Sequence, residues 1–296
     1  MARMPAAEVD IEAELVAELV ADQHPDLAER PLRPLAHGWD NESFRLGDDL
    51  VVRLPRRAAA ADLIIHEQRW LGELAHDLPL PIPAPVRMGR PARGYPWAWS
   101  IVPWLPGAPW ESTPPADTTA AGRQLGSFLA ALHRPAPPTA PHNPFRGIPL
   151  VERAERFDAG VYALGVRVDA PRCRAVFAEL AGAAAWDGPP VWLHGDLHPL
   201  NMLVDGGRPS AVVDFGDVCA GDPATDLAVA WMVLPAADRD AFRSAAGAER
   251  AVDDATWQRS RAWALALAIA YLAASDDNPT MAAIGHRTLT AALHDR

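Results

Sequence analysis

The stretch that decides the fold runs from Val191 to Asp217 and reads VWLHGDLHPLNMLVDGGRPSAVVDFGD. It contains three short apolar runs, Trp192-Leu193, Met202 to Val204 and Ala211 to Val213, separated by polar residues that a hydrophobic core would exclude. Short apolar runs bounded by turn residues are typical of strands. The stretch therefore predicts a functional site carried at the ends of short strands.

The spacing of the polar residues in this stretch points to a known arrangement. Asp196 is followed five residues later by Asn201, and Asp214 comes eighteen residues after Asp196, at the head of a DFG tripeptide. This resembles the catalytic loop and metal-binding triplet of the kinase superfamily, H-x-D-x-x-x-x-N followed by D-F-G. With glycine after the histidine, HGDLHPLN and VVDFGD are most similar to the aminoglycoside phosphotransferase family.

The resemblance implies an α+β, two-lobed protein-kinase-like fold. We expect a small N-terminal lobe, residues 1–102, with an antiparallel sheet and a helix. A hinge at residues 103–107 would join it to a larger, mainly helical C-terminal lobe, residues 108–296.

Periodicity along the chain is compatible with these lobes. Three strands are predicted between Arg33 and Leu54, and another from Tyr95 to Val102. Gly221-Asp222-Pro223 is expected to open a helix, with Asp222 as the N-cap. Further helices are predicted at residues 11–20, 58–75, 119–133, 171–186, 238–246, 254–274 and 278–293.

The charge composition limits the classes of molecule that the protein is expected to bind. The 296-residue chain has a formal net charge of -11 and a pI near 5.3, so it lacks the basic face that nucleic-acid phosphates require. We expect no nucleic-acid partner. The acidity is compatible with a cationic substrate, and equally with an acidic surface that keeps the protein in solution.

Other features favour a cytoplasmic location. Acidic residues interrupt the N-terminal segment where a signal peptide needs a continuous apolar run, and no run of about eighteen apolar residues occurs. Ala262 to Ala274, the longest candidate, is predicted to be a buried helix, so no membrane partner is expected. Cys173 and Cys219 are expected to be reduced. A monomer or a homodimer is anticipated.

The resemblance implies roles for three residues in phosphoryl transfer. Such a site needs a carboxylate that accepts the proton of the attacking hydroxyl, and a metal ion that bridges the phosphates. Asp196 is the candidate catalytic base. Asn201 and Asp214 offer hard oxygen ligands for Mg²⁺. The phosphoryl donor would be ATP or GTP, and the acceptor a hydroxyl of a small molecule.

Phosphate binding in kinases uses a strand lysine paired with a helix glutamate, and this chain has no lysine. Arg53 lies in the strand Val51-Val52-Arg53-Leu54 and is the candidate for the cation, although an arginine at a strand end is usually only solvated. Glu67, on the following helix, would hold Arg53. An exposed glutamate is the alternative interpretation of that residue.

Two further segments are predicted to bind the nucleotide. The turn from His37 to Ser43 occupies the place of the phosphate-covering loop, with Gly38 allowing close backbone approach and Asn41 and Ser43 supplying side-chain donors. A single glycine is also typical of an ordinary hairpin. At the hinge, the resemblance implies that Trp104 lines the purine pocket.

The remaining polar residues of the site receive supporting roles. His194 is expected to support the loop, and His198, at the position of a lysine in protein kinases, to contact the transferred phosphoryl group. Asp217 would bind metal indirectly, face the substrate or form a turn. Asp226 would brace the catalytic loop by hydrogen bonds, with a solvated helix face as the alternative.

The leading hypothesis is a magnesium-dependent kinase that phosphorylates an aminoglycoside or another cationic antibiotic. By resemblance, choline, homoserine, sugar-like and macrolide acceptors stay open. A pseudokinase-like module that binds nucleotide without turnover is a second hypothesis, since Arg53 replaces lysine and the glycine-rich loop is incomplete. A metallohydrolase built on His194, Asp196 and His198 is a third, which Pro199 disfavours because it suits a bent loop.

Overall fold

The computed structural model describes residues 6–295, which form two compact units. The N-terminal unit contains the described residues up to Pro106 together with Ala211–Gly216. The C-terminal unit contains Gly107–Ser210 and the residues from Asp217 onward. Residues 1–5 and 296 of the predicted lobes lie outside the described residues, and the hinge at 103–107 stays a prediction.

The N-terminal unit is built on a five-stranded antiparallel sheet. Its elements are α1 Ala13–Gln23, β1 Leu32–His37, β2 Asn41–Leu46, β3 Leu50–Pro55, α2 Ala58–Leu74, β4 Arg87–Gly89 and β5 Trp99–Pro103, with a 3₁₀ turn at Pro25–Leu27. The strands lie in the order β1-β2-β3-β5-β4. In β2, Glu42, Phe44 and Leu46 are buried while the alternate residues are half-buried, as the two faces of a pleated strand require.

One apolar cluster holds this unit together. Helix α1 buries Val16, Leu19 and Val20 at the i, i+3, i+4 spacing of one helix face. They pack against Phe44, Leu46, Val52, Leu54, Tyr95, Trp99 and Ile101 from the sheet and its connections. The sheet is thereby fixed on one face.

The C-terminal unit is mainly helical. Its elements are β6 Ala108–Pro109, α3 Thr118–Leu132, α4 Leu150–Leu164, α5 Ala170–Ala181, β7 Val191–Leu193, β8 Met202–Asp205, β9 Arg208–Val212, β10 Cys219–Gly221, α6 Ala224–Leu227, α7 Ala230–Val233, α8 Arg239–Ala246, α9 Asp254–Ala274 and α10 Pro279–His294, with 3₁₀ turns at Gly165–Arg167 and Ala236–Asp238. β7 pairs with β10, and β8 lies between β6 and β9. The short strands carry the HGD and DFG segments, as the sequence predicted.

Helix α9 is the centre of this unit. It is apolar on nearly all sides from Ala262 to Leu272, and it packs against α4, α5, α6 and α10. A helix that is apolar all round belongs in a core, so the predicted burial of this segment is confirmed. Among the described residues, the structure has no helix with the length and apolar character needed to cross a bilayer.

Several sequence-based boundaries are wrong for identifiable reasons. The strand predicted from Tyr95 begins only at Trp99, because Pro96 cannot donate to the ladder. The helix predicted to reach Trp186 ends at Ala181, where Gly182 forms the C-cap. Helix α4 and the short strand β4 were not predicted at all.

The predicted helix after Gly221 is two short helices, α6 and α7, and Asp222 is not its N-cap. Pro223 takes the N-cap position. Asp222 Oδ1 instead accepts the backbone N–H of Ala224 at 3.0 Å, and Asp222 Oδ2 accepts from Arg259 Nε at 2.7 Å. The Asp222 carboxylate therefore connects the start of α6 to α9.

We predict that Gly126→Ala destabilises the protein by about 1–3 kcal/mol, although alanine favours helix. Gly126 lies where α3 meets α8, and a Cβ there would come within 2.5 Å of the Phe242 carbonyl oxygen. Gly72→Ala on α2 is the matched control, since a Cβ there meets nothing within 4 Å. That change should stabilise by about 0.5–1 kcal/mol. Urea denaturation measures both, and equal effects would contradict the packing argument.

Candidate active site

The strand cation and the helix acid predicted for phosphate binding form an ion pair in the N-terminal unit. Arg53 Nη1 on β3 donates to Glu67 Oε2 on α2 at 2.7 Å, and Arg53 Nη2 lies 3.5 Å from Asp214 Oδ1. Glu67 is 1% exposed. The guanidinium therefore spans two carboxylates, which a single ammonium could not do with the same geometry.

Electrostatics keep this pair in place. Burial alone would lower the pKa of Arg53, but the charges of Glu67 and Asp214 outweigh it and raise that pKa. Burial raises the pKa of Glu67, and the charge of Arg53 opposes the rise. Glu67 Oε1 is buried without a hydrogen-bond partner among the described residues.

Asp214 occupies a strained position at the end of β9. Its φ of 63° is in the left-handed region, where residues other than glycine are uncommon. Its side chain is 59% exposed, so most of the carboxylate stays open. Strain of this kind concentrates at functional sites.

The other predicted nucleotide contacts lie on the same unit. Ser43 on β2 lies opposite Arg53 in the sheet register. Gly38 N–H donates to the Asn41 carbonyl at 2.8 Å, so that N–H is already engaged, while Asn41 Oδ1 is buried with no hydrogen-bond partner among the described residues. The Trp104 ring is covered by the Arg45 guanidinium at 3.8 Å. Nucleotide contacts for these residues stay predictions.

In the C-terminal unit, the HGD segment makes a turn that only glycine fits. Gly195 has a φ of 86°, and a Cβ on it would lie 2.3 Å from the Asp217 carbonyl oxygen. The turn lets the Asp196 N–H donate back to His194 Nδ1 at 3.2 Å. His194 is fully buried, in agreement with its predicted supporting role.

Asp226 holds this turn from inside the unit. Its Oδ2 accepts the His194 N–H at 2.7 Å and its Oδ1 accepts the Gly195 N–H at 2.9 Å. His133 Nε2 lies 3.3 Å from Asp226 Oδ2. Burial would raise the pKa of Asp226, but the hydrogen bond and charge of His133 contribute most to lowering it. The side chain is 1% exposed, so it does not form the solvated helix face considered as the alternative.

His198 and Asn201 close the catalytic loop around Asp196. His198 Nδ1 accepts the Leu200 N–H at 3.2 Å, which leaves Nε2 as the protonated nitrogen, 3.4 Å from Asp196 Oδ2. Asn201 Nδ2 donates to the Asp196 carbonyl at 3.0 Å. Asn201 Nδ2 also lies 3.3 Å from His198 Nε2.

The sequence analysis missed Arg146, which is the residue in closest contact with the Asp196 carboxylate. Arg146 Nη2 donates to Asp196 Oδ1 at 2.6 Å, and its Nε lies 3.8 Å from Asp217 Oδ2. Asn143 Nδ2 donates to Asp217 Oδ1 at 2.7 Å. Both new residues come from the proline-rich loop between α3 and α4. Asp217 therefore takes part in a charge cluster with Asp196 and does not serve only as a turn residue.

Arg146 sets the protonation of the cluster. Burial would raise the pKa of Asp196, but the Arg146 charge, assisted by His198 and His194, holds it well below its usual range. Burial raises the pKa of Asp217, although Arg146 opposes the rise. Asp196 is therefore ionised at neutral pH.

Comparison with known proteins identifies the family of the chain. Residues 31–263 match the model of the phosphotransferase enzyme family, APH. The chain belongs to that family. It is 33% identical to the viomycin phosphotransferase of Streptomyces vinaceus over 199 residues, 62% of this chain and 67% of that protein.

Solved phosphotransferases have the same fold. The GDP complex of aminoglycoside 2'-phosphotransferase-IIIa superposes with a TM-score of 0.66 at 17% identity, covering 95% of this chain and 99% of that one. Macrolide 2'-phosphotransferase MphH from Brachybacterium faecium gives 0.60 at 22% identity, covering 93% and 97%. The predicted two-lobed, kinase-like α+β fold of this family member is confirmed.

The residues present fit a magnesium ion of the kind that kinases use. Mg²⁺ prefers hard oxygen ligands, keeps several waters and is usually held by one or two carboxylates with the substrate phosphates. Asp214 of the N-terminal unit has an open carboxylate, and Asn201 of the C-terminal unit has an amide oxygen, so each residue offers a ligand of this kind. A magnesium site built from both stays a prediction. Among residues 6–295, no group of three or more His, Cys, Asp or Glu side chains could hold a metal ion by itself.

We predict that Asp226→Asn destabilises the protein by about 2–4 kcal/mol, because an amide nitrogen would face one of two backbone N–H donors. Because the pKa of Asp226 is lowered in the folded protein, its carboxylate contributes fully to the free energy of unfolding above the ordinary pKa of an aspartate. This contribution is lost as the pH falls through the pKa that Asp226 has in the folded state. Denaturation from pH 7 to pH 3 should show a smaller loss for the variant. Asp187→Asn, an exposed site, serves as control, and a wild-type pH dependence in Asp226→Asn would refute the role.

Proposed function

We propose that this phosphotransferase moves the γ-phosphate of ATP or GTP to a hydroxyl of a small molecule, with an aminoglycoside or another cationic antibiotic as the leading acceptor class. The observation that carries the proposal is the ionised Asp196 carboxylate. It is fixed between Arg146 and His198 at the start of a loop that Asn201 closes.

On the acceptor side, Asp196 orients the attacking hydroxyl and accepts its proton. The hydroxyl oxygen forms a bond to the γ-phosphorus while the bond from that phosphorus to the β,γ-bridging oxygen breaks, and the nucleoside diphosphate leaves. A strongly ionised carboxylate is a weak base. It suffices because the loose transition state of phosphoryl transfer requires positioning more than early proton removal.

On the donor side, Arg53 neutralises phosphate charge while Glu67 fixes the direction of its guanidinium. The structures of relatives with GDP, ADP or ATP support a nucleotide donor. When bound by Asn201 and Asp214, Mg²⁺ would supply charge neutralisation at the phosphate oxygens. His198, which contacts Asp196, orients the base in this scheme, and its ring would also contact the transferred phosphoryl group.

The acceptor class rests on relatives and on charge. The most similar relatives described above are named for viomycin, aminoglycosides and macrolides. The acidic side chains of Asp196 and Asp217 are suited to an acceptor with amino groups. Choline, homoserine and sugar-like acceptors are the alternatives within the same reaction. The pseudokinase alternative was based partly on the replacement of lysine by Arg53, and it loses that support if Arg53 binds the nucleotide phosphates.

We predict that Asp196→Asn lowers phosphoryl transfer by about 10²–10⁴-fold with nucleotide binding unchanged. The measurement is nucleotide consumption in the presence of viomycin, an aminoglycoside and a macrolide in turn. Asp205→Asn, an exposed site on β8, should match wild type. Equal rates for Asp196→Asn and wild type would refute the catalytic assignment. Failure of all three antibiotics alone, with Asp196-dependent nucleotide consumption intact, would remove only the antibiotic class.

We predict that Arg53→Lys lowers kcat/KM for the nucleotide by about tenfold and Arg53→Met by more, since lysine keeps the charge but cannot span Glu67 and Asp214. Steady-state kinetics with varied nucleotide checks this. Arg30→Lys is the control, because Arg30 also pairs with an acid, Asp49, but on an exposed surface. An Arg53→Met variant as active as wild type would refute the phosphate-binding role of Arg53.

A further inference from the structure

Arg153 is a buried cation without a counter-charge. Four arginines are buried among residues 6–295, and three of them are ion-paired: Arg53 with Glu67, Arg239 with Asp295 and Arg259 with Asp222. Arg153 is 6% exposed and has neither an ion pair nor a hydrogen bond with the described residues. The guanidinium carbon of Arg153 lies 5.3 Å from the centroid of the Trp263 ring.

The surroundings of Arg153 make its charge costly. It lies in the first turn of α4, where the helix dipole also disfavours a cation. Burial, followed by the charges of Arg146 and Arg156, lowers its pKa to about 10. An arginine nevertheless stays protonated at neutral pH. A buried charge with no partner costs several kcal/mol. An anion that binds beside Arg153 would compensate this charge, and the free energy recovered would contribute to its binding.

A pocket of about 280 Å³ opens at this arginine. Arg153, Arg156, Phe157 and Ala159 of α4 form one wall, and Ala266 and Ala270 of α9 form the other. Arg156 is exposed and lies over the Phe145 ring at 4.1 Å. The pocket thus combines two cationic groups with an apolar surface, which suits an organic molecule that carries an anionic group.

Tyr271 connects the pocket to the catalytic carboxylate. It follows Ala270 on α9, and its ring lies 6.1 Å from the ring of His198, which contacts Asp196. Its hydroxyl is buried without a hydrogen-bond partner among the described residues. Burial raises the pKa of Tyr271, and the charges of Asp196, Arg146 and Arg153 all act on the hydroxyl. The pocket wall at Ala270 is therefore one residue away from a ring that lies against the His198 and Asp196 pair.

We propose that Arg153 and Arg156 bind an anionic oxygen group, a carboxylate or a phosphate, carried by the acceptor molecule. The proposal rests on the proposed phosphoryl transfer, but it favours an acceptor with an anionic group, such as the homoserine-like alternative, over an aminoglycoside, which has none. The acceptor is a hydroxylated organic molecule that is acidic or zwitterionic, with any amino groups directed to Asp196 and Asp217. Free inorganic phosphate has the same chemistry and is the competing occupant.

The test uses thermal denaturation of the full chain in a buffer poor in oxyanions, with Arg153→Met and Arg123→Met compared with wild type. Arg123 is an exposed arginine on α3 and serves as control. Arg153→Met should melt at a higher temperature than wild type, because it removes an unpaired buried charge. A lower melting temperature for Arg153→Met would mean that the contact between Arg153 and Trp263 stabilises the fold and that the charge is not left uncompensated. That result would overturn the proposal.

Ligand titrations then separate the two occupants. Gluconate, glycerol 3-phosphate and inorganic phosphate should each raise the melting temperature of wild type and of Arg123→Met, with sorbitol and glycerol as neutral counterparts that do not. Binding to Arg153→Met should weaken by about tenfold or more. The organic anions should bind more tightly than inorganic phosphate, because their carbon chains cover the apolar wall.

Tightest binding of inorganic phosphate would overturn the assignment to the acceptor. Equal binding by wild type and Arg153→Met would overturn the site itself. Both measurements are independent of turnover, so they stand even if phosphoryl transfer fails, and a failed transfer assay leaves them unaffected.

Discussion

The Asp226 carboxylate is the constraint on which the catalytic loop depends. One side chain from α6, buried in the C-terminal unit, receives the backbone N–H groups of His194 and Gly195 with its two oxygens. Unpaired N–H groups at this depth would each cost about 1–3 kcal/mol. Because both donors come from the turn before Asp196, the direction in which the catalytic side chain leaves the turn is set from the interior. The turn itself is possible only because Gly195 has no Cβ.

Arginine takes the cationic roles on both units, and its shape decides what they do. Arg53 spans Glu67 and Asp214, and Arg146 reaches Asp196 and Asp217. A guanidinium has several donors in a rigid plane, so it fixes two carboxylates relative to one another while neutralising them. A lysine would neutralise but would not fix their geometry. In the proposed reaction, Arg53 would therefore bind phosphate in place of the usual lysine, which the chain lacks.

Local spacing could be predicted from the sequence, while side chains brought in by distant loops could not. Asp196, Asn201 and Asp214 follow a fixed pattern within one stretch, and the pair of Arg53 and Glu67 follows the order strand, then helix. Arg146 and Asn143 come from a proline-rich loop about fifty residues upstream of the catalytic loop, where no periodicity exists to indicate direction. Helix α4 was not predicted because charged residues alternate with its apolar ones and obscure the helical periodicity.

The contact between Arg146 and Asp196 explains how a partly buried carboxylate can stay ionised, as the proposed reaction requires. Without a cation, burial would raise the pKa of Asp196 and favour its protonated form, which cannot accept a proton from a hydroxyl. With Arg146 at 2.6 Å the carboxylate stays ionised, and His198 contacts its second oxygen. The cost is a lower basicity, which matters little when the bond to the leaving group breaks early. In the proposed reaction, Arg146 therefore lowers the basicity of Asp196 but fixes its charge and direction. Arg146 lies on the loop that leads into α4, the helix that forms one wall of the Arg153 pocket.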